Sequence, residues 1–233
     1  MTTLYETIFT RRQVRQFLPA PLPADTLRKI EQCVQEAGHL HGQRAGFRLV
    51  PAAEVSSKQG APHYLMAYCD TAFAAYADAG FVMQKADLYV QSMGLASGWF
   101  MSAKPRQGDS ENRFCIALAI GQSDTPLRGR EADFKRKPLS AVCDRDSPVA
   151  RAVRLAPSSL NSQPWQISCA LSKVILRDAG HGISRVILKN KLNKIDLGIA
   201  ARHAVLALEH EGQTVKDVIP KTDGDAFSIE ITY

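Results

Sequence analysis

The chain has 233 residues, 45% hydrophobic and 22% charged, with a formal net charge of +6. That suits one large domain or two small intertwined ones with a real core, and the composition is that of a globular protein, not a disordered or fibrous one. No apolar run approaches the ~20 residues of a membrane span, no apolar h-region follows Met1, and five scattered cysteines without a Cys-x-x-Cys pair argue against a disulfide framework or structural zinc. A protein of a reducing, cytoplasmic compartment is expected.

In chain order, Thr3-Leu4-Tyr5-Glu6 has capping-box spacing and predicts a short helix. It runs into the basic segment Arg11-Arg12-Gln13-Val14-Arg15-Gln16-Phe17, after which Leu-Pro-Ala-Pro-Leu-Pro bars a helix. Asp25 is the expected N-cap of a second helix, whose stripe is Leu27, Ile30, Val34 and Ala37, with Gly38 as its stop. Phe47–Val50 and Tyr64–Tyr68 are short apolar runs suited to strands. His39 and His41 lack a third ligand at fitting spacing and read as surface residues. Ala79–Met93 predicts a strong helix ending at Gly94, and Leu95–Ser102 a tight loop or short strand. Phe114–Ile120 predicts a buried strand closed by Gly121, followed by a charged, helix-poor connector from Gln122 to Lys137.

In the second half, Ser147-Pro148 has N-cap and N1 chemistry for a short helix. Next comes Ala156-Pro-Ser-Ser-Leu-Asn-Ser-Gln-Pro-Trp165. Its two prolines fix φ and remove backbone donors, so it cannot lie inside a helix or central strand. It reads as a rigid helix-to-strand corner that presents hydroxyls, amides and backbone N–H groups in one direction, although an ordinary turn has the same chemistry. The apolar run Ile167–Leu176 continues as a strand or hairpin, Asp196–Glu211 as a helix stopped by Gly212, and Phe227–Tyr233 as an alternating final strand.

The two halves, about 1–135 and 136–233, share an order: basic segment, helix, strand region, long apolar helix ending in Gly, last strand. Their long helices and terminal strands are displaced by roughly 115–120 residues, beyond the solenoid range. This suggests duplication of one α+β unit within a single 233-residue body. The basic Arg-Arg-Gln-Val-Arg-Gln-Phe segment is clear only in the first half and the Ser/Asn corner only in the second. Where the first half should carry a corner, it has His39-Leu-His-Gly-Gln-Arg-Ala-Gly46.

Several of these stretches resemble the nitroreductase family. Ile8–Phe17 is similar to its opening Arg-Arg-Ser-x-Arg-x-Phe, with Gln13 where the family has Ser. Ala156–Trp165 is similar to its Ala-Pro-Ser-x-x-Asn-x-Gln-Pro-Trp, Gly94-Leu-Ala-Ser-Gly-Trp99 to its Gly-Leu-Gly-Ser-x-Trp, and Ala119-Ile-Gly and Arg136-Lys-Pro-Leu to its closing strand and tail. The resemblance implies an α+β fold of two intertwined halves, each a sheet with flanking helices. Ordinary members bind FMN between two identical subunits, so one chain carrying both elements implies a pseudo-dimer that stands as a monomer or a weak homo-oligomer, with one complete FMN site and one degraded site.

The same resemblance assigns the cofactor contacts. Arg11 and Arg136, with Arg12 beside them, are implied for the phosphate, which suits forked guanidinium donors. Gln13, Arg15 and Asn161 are implied for the ribityl chain and pyrimidine edge, with Arg15 on the N1/O2 side. Pro157, Ser158 and Ser159 are implied beside the isoalloxazine, with Gln163 bracing the corner. Backbone N–H groups near Met101–Ser102 are candidates to reach N5. The implied activity is an FMN-dependent oxidoreductase that takes hydride from NAD(P)H and passes electrons to a nitroaromatic, quinone or similar small acceptor in a ping-pong cycle. No side chain acting as acid, base or nucleophile is then required, because the cofactor carries the redox chemistry. The alternative is a non-catalytic flavin binder, or a scaffold that keeps the fold without FMN. Nucleic-acid binding has only the net charge in its favour, since no recognition motif accompanies it. No Gly-x-Gly-x-x-Gly, P-loop or His-Glu-x-x-His motif occurs.

Overall fold

The computed structural model describes residues 2–106, 113–179 and 190–233. Thr3 opens α1 (Leu4–Ile8) with the predicted capping box: its hydroxyl accepts from Glu6 N–H at 3.2 Å, and the Glu6 carboxylate accepts from Thr3 N–H at 2.8 Å. There follow α2 (Ala24–Gln35), β1 (Gly46–Pro51), β2 (Val55–Ser56), β3 (His63–Tyr68), α3 (Phe73–Ser92), β4 (Ala96–Phe100), β5 (Lys104–Pro105) and β6 (Phe114–Gly121). The charged connector, with one short 3₁₀ turn at Glu131–Asp133 and another at Leu139–Ala141, leads to α4 (Pro148–Arg154), which starts at the predicted Ser147 cap. Then come β7 (Trp165–Ala170), β8 (Lys173–Asp178), α5 (Leu192–His210), β9 (Asp217–Asp223) and β10 (Ala226–Thr232).

Two four-stranded antiparallel sheets result, in the orders β1-β3-β6-β4 and β7-β8-β10-β9, with β2 and β5 as a small separate pair. Each large sheet places its strands first, second, fourth, third, and in each a long helix joins the second strand to the third. One apolar core runs through both halves. Its centre is the pairing of α3 with α5, both buried on nearly all sides, as expected of helices apolar all round.

Two glycines set how closely these helices approach. A Cβ on Gly80 would overlap the carbonyl of Ile195, and one on Gly198 would overlap the carbonyl of Ala77. The contact is reciprocal, each glycine lying against the backbone of the other helix, and both glycines and both partners are spaced by the same interval (77 to 195, 80 to 198). Around this seam lie buried polar groups that bond to the backbone and to one another. His203 Nδ1–H donates to the Ala152 carbonyl (2.8 Å) and Nε2 accepts from Gln84 Nε2 (3.0 Å). Burial pushes the His203 pKa down to about 3, so the ring is neutral. Arg202 lies 3.6 Å from the Phe81 ring centroid and donates to the Phe81 and Ala37 carbonyls.

The structure corrects several sequence expectations. Asp25 lies inside the first turn of α2, whose N-cap is Pro23, and pairs there with Arg28 and Lys29. α3 and α5 begin at Phe73 and Leu192, earlier than Ala79 and Asp196, because neither start carries a side-chain cap to mark it. Strand β9 went unpredicted: Pro220 interrupts its run, which a strand tolerates at a sheet edge, where β9 lies.

Candidate functional site

Five pieces of chain enclose a cavity of 720 Å³. They are the segment after α1 (Arg11, Gln13, Arg15), the end of β4 with its turn (Trp99–Ser102) beside Ile116 of β6, the connector (Arg128, Asp133, Lys135, Arg136), the corner Pro157–Asn161, and one face of α5 (Ile195, Asp196, Ile199). The volume is that of a cofactor-sized pocket. Eight of the ten predicted residues line it: Arg11, Gln13, Arg15, Arg136, Pro157, Ser158, Ser159 and Asn161. The other two stand behind it. Arg12 is held by its backbone, which exchanges hydrogen bonds with the Gln91 amide at 2.8 and 2.9 Å. Gln163, 4% exposed, accepts from Lys137 N–H (2.8 Å) and donates to the Asn161 carbonyl (3.1 Å).

The arginine segment is fixed like an extra strand against the edge of β4. Val14 N–H donates to the Ser97 carbonyl at 3.0 Å, and the Gln13 amide bonds Trp99 N–H (3.0 Å) and the Trp99 carbonyl (2.9 Å). Arg11, 1% exposed, is anchored by Asp87 of α3, with Nε 2.9 Å from Oδ2. Asp87 is itself fully buried and also accepts from Ser97 Oγ at 2.5 Å. The buried Nη2 of Arg11 has no partner within the protein.

The corner has an unusual backbone. Leu160, Asn161 and Gln163 have φ of 53°, 55° and 49°, a left-handed region in which non-glycine residues are uncommon. Such conformations cost about 1–3 kcal/mol each and persist only where surroundings over-determine them. Here they do. Ser159 N–H and Oγ–H donate to Asp196 at 3.0–3.3 Å, Gln163 N–H donates to Ser158 Oγ at 2.9 Å, and the Asn161 side chain bridges Arg136 Nη1 (2.6 Å) and the Lys135 carbonyl (2.7 Å). Leu160 is left 80% exposed.

Positive charge is crowded here. Arg136 donates to the Leu155 carbonyl at 3.1 Å, and its buried Nε has no partner. Burial, with Arg11, Arg128 and Arg154 nearby, pushes its pKa down to about 9. Arg128 donates to the Arg11 and Asp133 carbonyls, and burial beside Arg11 and Arg12 pushes it down to about 10. Both stay charged at neutral pH, in a place that an anion would relieve. Opposite in character is Asp196, whose carboxyl burial pushes well above the ordinary carboxylate range. Sequence reasoning placed Arg128 and Lys135 only in a charged connector, and Asp196 only at a helix start. Their link to the cavity is a product of tertiary contact, with no local signature.

The corresponding loop of the first half, His39–Gly46, does not line the cavity. It packs onto the second sheet: His41 N–H donates to the Val218 carbonyl at 2.8 Å and His41 Nδ1 lies 3.1 Å from Asp217. His39 Nδ1, Leu40 N–H and Ala45 N–H each lie 2.8 Å from the buried carboxylate of Asp78. Among the described residues no group of three His, Cys, Asp or Glu side chains is placed to hold a metal, and no helix is long and apolar enough to cross a membrane. Cys33, Cys69, Cys115, Cys143 and Cys169 are all free.

A "putative nitroreductase" from Thermotoga maritima, known as a crystal structure, is similar over 99% of this chain and 94% of its own, with a TM-score of 0.72 and 20% identity. A nitroreductase family protein from Clostridium difficile matches with a TM-score of 0.49 and 17% identity over 60% of this chain and 96% of its own. An FMN-dependent nitroreductase from the same species matches with a TM-score of 0.42 and 17% identity over 54% and 91%. No curated protein matches. The family model described as "Putative TM nitroreductase" matches residues 3–208, nearly the whole chain, and the protein belongs to that family.

Proposed function

We propose that this protein is an FMN-dependent oxidoreductase of nitroreductase type, using NAD(P)H as hydride donor and a nitroaromatic, quinone or similar small molecule as acceptor. The observation that carries the reading is that two arginines lining the cavity, Arg11 and Arg136, each keep a buried guanidinium nitrogen (Nη2 and Nε) without a protein partner. Donors buried without partners are rare, and a phosphate suits them. When bound, FMN would supply the two-electron chemistry between donor and acceptor.

The chain's own residues then bind and orient. Arg11 and Arg136 hold the phosphate, with Arg128 adding charge beside them. Asn161 acts through Arg136, since its side chain is already spent on Arg136 and Lys135. Likewise the amide of Gln13 is committed to Trp99, so Gln13 shapes the wall and Arg15 is the free polar contact on that side. Pro157, Ser158 and Ser159 flank the ring, and Trp99, Ile116 and Ile199 give the apolar surface that keeps water away from it. The matching strand orders and the reciprocal glycine contact support a single-chain pseudo-dimer with a boundary near residue 135. The packed His39–Gln43 loop supports one working site per chain. A reducing, cytoplasmic setting accords with the free cysteines.

The test is an absorbance spectrum of the purified protein with FMN titrated in, then anaerobic addition of NADH and of NADPH. Tight binding at one FMN per chain, bleached by either nucleotide, is expected. Binding without bleaching would leave a passive flavin binder, and no binding at high FMN would overturn the cofactor assignment.

A further inference from the structure

The corner owes its geometry to a contact outside itself. Ser159 N–H lies 3.0 and 3.1 Å from the two carboxylate oxygens of Asp196, and Ser159 Oγ lies 3.3 Å from one of them. Asp196 is 2% exposed and stands on the first turns of α5, two residues before Gly198, where that helix is pressed against α3. One residue after Ser159 the chain enters its left-handed run. Asp196 thus joins the left-handed backbone of the cavity wall to the helix that packs backbone to backbone against α3.

A second carboxylate in the molecule does the same work without a cavity. Asp78, on α3 two residues before Gly80, receives Leu40 N–H, Ala45 N–H and His39, and the loop it holds is packed shut against β9. A buried acid at this place in a long helix therefore fixes whatever loop faces it, and what the loop is determines whether a cavity results. We infer that Asp196 is a positioning residue for the FMN site: through Ser159 it holds the Pro157–Asn161 corner in its left-handed form, and so sets the wall against which the flavin lies. This rests on the FMN reading above. Desolvation raises the Asp196 pKa, which makes a carboxylate a costly choice unless the bonds from Ser159 are needed.

Two measurements on the full-length protein test it. Hydrogen exchange without added FMN reads the latch itself: Asp196→Asn should speed exchange of the Ser159–Gln163 amides at least tenfold and leave α3 and the β3–β6 pair unchanged. FMN titration reads the consequence: the dissociation constant should rise at least tenfold in Asp196→Asn. Asp196→Glu keeps the carboxyl group but lengthens the arm; it should fall between wild type and Asn in both readings, and it stands in should the Asn variant not fold. An unchanged dissociation constant with a loosened corner would overturn the inference, as would exchange that rises throughout the core. Failure of the wild type to bind FMN would instead sink the cofactor reading, while the exchange data would still report on the latch.

Discussion

Arg11 serves the fold and the cavity together, and the two duties predict different outcomes at two arginines. Removing its side chain leaves Asp87 buried without its cation, a loss of about 3–5 kcal/mol. Arg11→Ala should therefore unfold at clearly lower denaturant, and any loss of FMN affinity would be confounded with that. Arg136 has no carboxylate partner to strand. Arg136→Ala should lower stability much less and weaken FMN by about 1.5–3 kcal/mol, the scale of a charge-assisted bond. Urea unfolding and FMN titration of both variants check this, and equal FMN affinity in Arg136→Ala and wild type would remove Arg136 from the site. At this scale the sequence was informative where chemistry is local: Pro157, Ser158, Ser159 and Asn161 sit together in five residues, and so do Arg11 to Arg15. It was silent on Asp196 and Arg128, whose partners lie 37 and 117 residues away.

The elements explain why those partners meet. α3 and α5 touch backbone to backbone only because Gly80 and Gly198 lack a Cβ. Gly80→Ala and Gly198→Ala should each cost about 3 kcal/mol, the upper end for overpacking, since the obstacle is a carbonyl and not a side chain able to turn away. Gly129→Ala, with open space around it, should leave the unfolding midpoint unchanged. Similar losses at positions 80 and 198 would bear on the pseudo-symmetry, and a large difference would count against it. Both helices were legible from their apolar residues, yet their starts were not, because neither N-cap residue makes a side-chain cap. β9 was hidden for a similar reason: its proline is harmless only at an edge, and the edge is a property of the sheet.

For the molecule as a whole, the buried centre predicts an acid weakness. His203 titrates near 3 when folded against about 6.5 when unfolded, so the unfolded chain takes up a proton first as pH falls. Its contribution is intact above pH 6.5 and is lost by about 1.4 kcal/mol per pH unit below it, until the folded value is reached. Unfolding free energy should thus drop by about 2 kcal/mol from this group between pH 7 and pH 5. His203→Gln should flatten that slope, and parallel slopes in the two proteins would refute the assignment. The overall α+β arrangement followed from the order of elements, whereas the way the first-half loop is held, by His41 on Val218 and by Asp78, has no local signature. The glycine seam carries one more consequence. Gly198 is flanked by Ile195, Asp196 and Ile199, which form the cavity floor, so the floor belongs to the least compressible part of the interior. Hydrostatic pressure should then shift ligand affinity little until the seam itself gives way, and the site should be lost in one step with the fold.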